Sequence, residues 1–212
     1  MGLELPNARH RWCLSRRKRA FDVVVALILL VLSAPILLAA ALAIQATSGG
    51  PVVFRQWRFG FAGRGFQIYK LRTMRRGAGK LKRSVRALNH HAPDSPDFKA
   101  RNDPRVTTVG RVLRRLSLDE LPNLVNVIRG DMSLVGPRPA SFPLECYSPE
   151  HWARLSVLPG VTGLWQISGR SDVDFEDRME LDQRYIREQS FLLDLKILLL
   201  TPLRVLEGRG AY

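Results

Sequence analysis

From Val23 to Ile44 the chain reads VVVALILLVLSAPILLAAALAI, 22 residues without a charge. This run limits the fold most, because roughly 20 apolar residues are what an α-helix needs to cross the hydrocarbon of a bilayer. It is too long for the core of a cleaved signal peptide, and no clear cleavage site follows it. One straight span is the simplest reading, and two features oppose it. Pro35 stands near the middle, after Ser33 and Ala34. A proline inside a helix removes a backbone hydrogen bond and crowds the preceding turn, so it kinks the helix. Each half is then about 11 residues or roughly 16 Å, about half the hydrocarbon thickness. The second feature is charge: Arg9, Arg11, Arg16, Arg17, Lys18 and Arg19 precede the run, and Arg55, Arg58, Arg64, Lys70 and Arg72 follow it. Positive flanks stay in the cytoplasm, and one straight span cannot keep both there. A re-entrant hairpin hinged at Ser33 and Pro35 does so, although the residues alone leave hairpin and span both open.

Composition matters here for its sign. Thirty-three Lys and Arg stand against 19 Asp and Glu, a net charge of +14, so nucleic acid, anionic lipid or phosphorylated substrates are expected partners. A hydrophobic share of 46% with 25% charged residues excludes a disordered chain, and 212 residues suit one domain. Cys13 and Cys146 make no disulfide framework and match no metal-site spacing, so the default is a reduced, cytosol-facing protein. His90 and His91 lie in a polar stretch without cysteine partners, which argues against a metal role.

Beyond the apolar run, PVVFRQWRFGFAGRGFQIYKLRTM (51–74) predicts a β-hairpin. Val52 and Phe54, then Phe66 and Ile68, alternate with polar or basic residues, and glycines at 60, 63 and 65 supply the turn. Residues 75–104 are polar, with a short helix expected near 78–89 and then a loop. Val109, Val112, Leu113 and Leu116 recur at helical spacing, with Arg111, Arg114 and Arg115 as the basic face. A second helix over about 122–129 has Pro122 near its first position and Gly130 as C-cap. Alternatively Ser117 caps a helix and Glu120 completes a capping box. Residues 131–143 form a proline-punctuated loop carrying Arg138, and 158–170 hold a short apolar strand between turns. The C-terminal third is helical: an acidic stretch from Asp172 to Arg187, then FLLDLKILLLTPLRVL (191–206), too short and too charged to span comfortably. That last run is a core helix or one lying in the membrane interface, and attachment of the chain to a membrane favours the interface.

Asp119 and Glu120 carry the chemical question. Near a helix N-terminus, backbone N–H groups and the macrodipole favour such a pair without any further role. Arg111, Arg114 and Arg115 precede them, however, and the loop GPRP with Arg138 follows. Arginine forks suit phosphate, and a carboxylate beside them stays ionised as a nucleophile or a metal ligand. Mg²⁺ usually takes one or two carboxylates plus substrate phosphate oxygens. Neither a P-loop nor a dinucleotide-binding glycine motif is present. From the residues alone, the chain is a membrane-attached enzyme acting on phosphates.

KRAFD, RQWRFG, FQIYKLRTM, DPRVTTVGRVLRRLSLDELPNL, GDMSLVGPRP, LPGVTGLWQISGR and FLLDLKILLLT follow one another from Lys18 to Thr201. By these motifs the chain resembles the monotopic phosphoglycosyl transferases, the bacterial sugar transferase family that begins lipid-linked glycan assembly. The resemblance extends to about Leu206. It implies an α/β fold: a small membrane-associated catalytic domain with an N-terminal re-entrant, helix–break–helix membrane hairpin and interfacial amphipathic helices. The expected division is a basic segment 1–19, the hairpin 20–46 and a cytoplasmic catalytic domain 47–212, a minimal unit without further domains. The substrates implied are a UDP-sugar and undecaprenyl phosphate. Asp119 matches the nucleophile that takes up the sugar phosphate and expels UMP, and Glu120 matches the Mg²⁺ ligand. Lys70 and Arg114 match residues that organise the phosphate site, with Arg72 and Arg111 as further substrate-binding cations. Arg138 and Pro139 match the nucleotide-binding motif. Ser33 and Pro35 form the hinge, where Ala34 intervenes although the family commonly sets Ser directly before Pro. The same resemblance implies the bacterial inner membrane, contact with its lipids, both termini on the cytoplasmic side, and room for a homodimer. A fainter likeness to exopolysaccharide-initiating members, including the GRGAY ending, points to galactose or glucose. No motif reads nucleic acid, and retention of Asp119, Glu120 and Lys70 argues against a scaffold that has lost catalysis.

Overall fold

The computed structural model describes residues 12–79, 81, 103–139, 149–169 and 173–208. Most of the helix expected near 78–89, the His90–His91 pair, Cys146 and the first residue of the acidic stretch lie outside them. A 3₁₀ turn, Trp12–Leu14, leads into α1, Arg16–Ser48. The Ser15 hydroxyl caps α1 by accepting from the Lys18 N–H at 3.1 Å. The helix runs unbroken through Pro35, so the expected break does not interrupt it, and a re-entrant course requires a bend within the helix at the proline. Pro35 leaves the Val31 carbonyl without its usual donor, but the Ser33 hydroxyl donates instead to Leu30 O at 3.2 Å.

One face of α1 is buried along its whole length: Lys18, Asp22, Ala26, Ser33, Ala40 and Ile44. At about 100° per residue these positions fall within a sector of roughly 80°, the spacing of a helix laid along a surface. The first half packs with the main core, which includes Leu124, Val127, Met132, Leu134 and Ile197. The second half joins Leu71 and Leu113 in a smaller cluster. The other faces are bare and apolar; Val31 is 71% and Leu32 69% exposed.

The start of α1 is pinned by charge. Lys18, expected in a solvated basic flank, is buried, with its ammonium 2.6 Å from Asp194 and 3.4 Å from Asp22. Arg19 donates to the Val127 and Ile128 carbonyls at the end of a later helix, satisfying groups that a helix C-terminus leaves open. Arg16 and Arg17 are exposed. Cys13 is buried, and burial pushes its thiol up to about 11, so it is no reactive cysteine.

The predicted hairpin is present as β1, Val53–Phe59, antiparallel to β2, Gly65–Leu71. Its register sets Phe54 against Lys70, Gln56 against Ile68 and Arg58 against Phe66, which puts all six on one face. Helix α2, Thr108–Arg115, is capped by the Thr107 hydroxyl, which accepts from Gly110 N at 2.9 Å. Gly110 lets α2 cross the end of β2, since a Cβ there would lie 2.0 Å from Thr73 O. A 3₁₀ turn, Leu118–Asn123, runs into α3, Leu124–Arg129, which ends at Gly130 in the left-handed region, φ 94°. The expected C-cap therefore holds, while the helix start is displaced by the 3₁₀ turn.

Strand β3, Ser133–Val135, pairs in parallel with β4, Gly160–Thr162. The described residues thus hold two separate two-stranded sheets. Helix α4, Leu164–Ser168, follows β4, then α5, Phe175–Glu188, and α6, Phe191–Glu207. Helix α6 buries Asp194 and Ile197 but leaves Leu192, Leu199, Leu203 and Leu206 exposed. It has one packed side and one bare apolar side.

Candidate active site

The dyad sits where three segments meet: the face of β2 that carries Lys70, the 3₁₀ turn after α2, and the loop after β3. Ser117 opens the turn in the left-handed region, φ 53°, and makes no side-chain cap. The capping-box alternative therefore fails, and the Glu120 side chain turns elsewhere. Its Oε1 accepts from Lys70 Nζ and from Arg138 Nη2, each at 2.6 Å, and its Oε2 from Arg138 Nη1 at 3.1 Å. Burial opposes ionisation of Glu120, but Arg138 and Lys70 outweigh it and hold the carboxyl well below the usual range.

Asp119 has the opposite surroundings. It is buried, and among the described residues no hydrogen bond or ion pair engages its carboxylate. Burial, joined by the adjacent Glu120 charge, pushes its pKa up to about 6 against the pull of Lys70, Arg114 and Arg138. The neighbouring carboxylates thus divide: one is committed to two cations, and one is uncommitted beside them.

Arg114 is anchored from below, its Nε donating to Thr73 Oγ1 at 2.9 Å. Burial pulls its guanidinium down from the ordinary value while Asp119 and Asp103 act the other way. The loop Gly136–Pro139 is held on β4 by backbone bonds, Gly136 N to Thr162 O at 3.0 Å and Gly160 N to Pro137 O at 2.8 Å. That approach needs glycine, because a Cβ at Gly160 would lie 2.2 Å from Gly136 N. Lys70, Glu120, Arg138 and Pro139 then line an open cleft together with Arg58 and Val161, and Asp119 adjoins it through Glu120 without lining it.

Two of the expected substrate cations lie elsewhere. Arg72 follows the last residue of β2 and is buried against the end of α1, where its Nη2 donates to Ser48 O at 3.1 Å, Ser48 Oγ at 3.0 Å and Gly49 O. It satisfies helix-terminal carbonyls and does not line the cleft. Arg111 is exposed on α2, and no described contact ties it to the dyad. Ser33 and Pro35 belong to α1 and take no part in the cleft.

Other residues support the cleft without having been singled out. Arg154 donates to Arg138 O at 2.7 Å and lies 2.9 Å from Asp182. Burial pushes Asp182 up to about 6, opposed by Arg154 and Arg178. Two guanidinium groups lie over the Trp165 ring, Arg138 at 5.9 Å and Arg178 at 5.6 Å from its centroid, within cation–π range.

Among the described residues no cluster of three or more His, Cys, Asp or Glu forms a metal cage. A Mg²⁺ bound mainly by substrate oxygens asks for less, one or two protein carboxylates. A carboxylate has about four lone-pair positions, and Lys70 and Arg138 take three of them on Glu120. Glu120 can therefore offer one bond to such an ion, and Asp119 lies beside it.

The family model described as bacterial sugar transferase matches residues 13–208. The chain is 41% identical to the undecaprenyl-phosphate galactose phosphotransferase of Salmonella typhimurium, over 92% of this chain and 41% of that one. It is 42% identical to the exopolysaccharide production protein ExoY of Rhizobium meliloti, over 92% and 88% respectively. It is 47% identical to the UDP-glucose:undecaprenyl-phosphate glucose-1-phosphate transferase of Caulobacter vibrioides, over 92% and 72%. The chain thus spans about two-fifths of the Salmonella relative and most of the other two. With a matching family model over nearly all its length and relatives above 40% identity, the chain belongs to the bacterial sugar transferase family.

Proposed function

We propose that this chain transfers a sugar 1-phosphate from a UDP-sugar to undecaprenyl phosphate, releasing UMP, by way of a covalent phosphosugar on Asp119. The transfer is the first membrane step of exopolysaccharide or related glycan synthesis, with galactose or glucose as the sugar. One observation carries the mechanism: of two adjacent carboxylates, Glu120 is neutralised by Lys70 and Arg138, whereas Asp119 is left uncommitted next to the same cations. An uncommitted carboxylate is available as a nucleophile.

In the first step an Asp119 oxygen forms a bond to the sugar-bearing phosphorus. The bridging P–O bond breaks and its electron pair leaves on UMP, so no proton need move. Lys70, Arg138 and Arg114 surround the region where charge grows and stabilise it. In the second step an oxygen of undecaprenyl phosphate attacks the same phosphorus, and the bond to Asp119 breaks to restore the carboxylate. Two steps let a water-soluble donor and a lipid acceptor use one pocket in turn. Mg²⁺, held by Glu120 and substrate oxygens, would neutralise diphosphate charge when bound. The deciding experiment is a screen for UMP release over a panel of UDP-sugars with undecaprenyl phosphate. Release with no member of the panel would reject the proposal. Because Asp119 must be ionised to attack, the rate of UMP release is expected to fall with decreasing pH below about 6. A flat profile from pH 7 to 5 would contradict the nucleophile role.

The membrane arrangement proposed is re-entrant, with both flanks of α1 on the cytoplasmic face. Its support is the buried stripe: both halves of α1 rest on one domain, whereas a straight span would carry one half away from it. The bare apolar sides of α1 and α6 would then face lipid. In sealed vesicles of a Cys13→Ser/Cys146→Ser background, cysteines introduced at Arg17 and at Glu207 are expected to react with impermeant reagent from the same side, and one at Leu32 to be protected. Labelling of Arg17 and Glu207 positions from opposite sides would reject the hairpin.

A further inference from the structure

Arg58 is placed by the sequence in the basic flank of the apolar run, but the hairpin register turns it into the cleft. Arg58 pairs with Phe66 and Phe54 with Lys70, so Arg58 and Lys70 lie on the same face with Ile68 between them. Four residues of strand separate the two levels, roughly 13 Å at 3.3 Å per residue. Both side chains line the cleft, Lys70 at the dyad end with Glu120, and Arg58 beyond Ile68 on the far side.

The position of Arg58 is built. Gln56, two residues back on the same face, accepts from Arg58 Nη2 at 2.7 Å. Phe59, on the opposite face, packs with Trp152, Phe175 and Met179. The turn beyond is seated on the loop before β4, since a Cβ at Gly60 would lie 2.9 Å from the Phe66 ring and 3.1 Å from Pro159. Pro159 adjoins Gly160 and Val161, which line the same cleft. The tip of the hairpin is therefore fixed to the Pro159–Val161 wall of the cleft, and Arg58 is carried with it.

A nucleoside diphosphate sugar has two phosphates with different fates. The sugar-bearing phosphate must reach Asp119, while the nucleotide phosphate leaves and gains charge as the bridging bond breaks. Lys70 and Arg138 occupy the dyad end, and a guanidinium farther along the same strand face has the fork geometry for the other phosphate. We propose that Arg58 is a substrate-binding cation for the nucleotide-side phosphate and holds the departing nucleoside monophosphate. This assignment rests on the transfer reaction proposed above.

The test compares the full-length wild type with Arg58→Gln and Arg58→Lys in detergent or nanodiscs. Equilibrium binding of UMP is measured beside turnover of the preferred UDP-sugar. Arg58→Gln is expected to bind UMP about 10- to 100-fold more weakly, the scale of a lost charge-assisted contact. The KM for UDP-sugar should rise while the KM for undecaprenyl phosphate stays put. Arg58→Lys, which keeps charge without the fork, should fall between, and it serves as the test if the Gln variant does not fold. Wild-type UMP affinity in the variants, with turnover intact in wild type, would overturn the Arg58 assignment alone. Absence of UDP-sugar turnover in the wild type would instead overturn the reaction, and this assignment with it.

Discussion

Asp119→Asn is expected to lower UMP release by roughly a thousandfold or more, the scale on which loss of a covalent nucleophile acts, and to form no phosphosugar adduct. The fold should not suffer. Asn has the same shape, and the Asp119 carboxylate has no hydrogen bond or ion pair among the described residues for the change to break. The linkage of stability to pH points the same way. The Asp119 pKa is raised in the fold to about 6, from 3.8, mainly by burial. Its favourable contribution is therefore complete below about pH 3.8 and lost as pH rises through about 6. At pH 7 to 8 the ionised group is a burden on stability that the Asn variant lacks, so its Tm should be unchanged or higher. Glu120→Gln should behave differently. It weakens the contacts from Lys70 and Arg138 and leaves two cations facing a neutral amide, so activity and Tm should fall together. Mass spectrometry of the trapped adduct and thermal melts of the three proteins check the contrast. Full turnover by Asp119→Asn would remove Asp119 from the mechanism.

The parts of this fold that the sequence makes legible are those set by local periodicity. Alternation and glycines mark the hairpin, helical spacing marks α2 and α6, and Gly130 marks the end of α3. The dyad and Arg138 were legible as a constellation, but their pairing was not. Glu120 meets Lys70 from 50 residues away and Arg138 from 18, and no local pattern encodes those distances. Arg72 shows how parity misleads. Two residues beyond Lys70, it should share that face, but β2 ends at Leu71 and the backbone turns Arg72 toward the end of α1. Arg58 is the reverse case, since strand alternation from Phe54 through Gln56 already places it on the Lys70 face once the turn is located. The resemblance implied a break at Pro35, yet Arg16–Ser48 forms one continuous helix through it. Lys18 was the least legible, for charges beside an apolar run read as membrane flank, and its partner Asp194 lies 176 residues away.

Lys18→Met is therefore the second large effect to expect, a loss of about 3–5 kcal/mol, the range for removing one partner of a buried ion pair. The Lys18 side chain is 3% exposed and that of Asp194 fully buried. Asp194 also accepts from Trp12 Nε1 at 2.6 Å and lies 2.8 Å from the Tyr185 hydroxyl. Asp22 faces Lys18 and accepts from Ser133 Oγ at 2.8 Å. Without Lys18, two carboxylates share a dry site with neutral donors alone, and desolvation makes that state costly. The consequences should reach the active site, because the Tyr185 and Ser133 hydroxyl oxygens each lie 3.0 Å from Val135 O. Val135 immediately precedes the loop that carries Arg138. A melt of Lys18→Met should fall by roughly 6–20 °C at 2–4 °C per kcal/mol, and activity should decline even where the fold survives. Adding Asp194→Asn and Asp22→Asn to Lys18→Met removes the stranded charges and should recover part of the Tm. If Lys18→Met alone melts like the wild type, the cluster does not hold α1 to α6. If the triple variant is no better than the single one, the loss comes from packing of the lysine stem and not from charge.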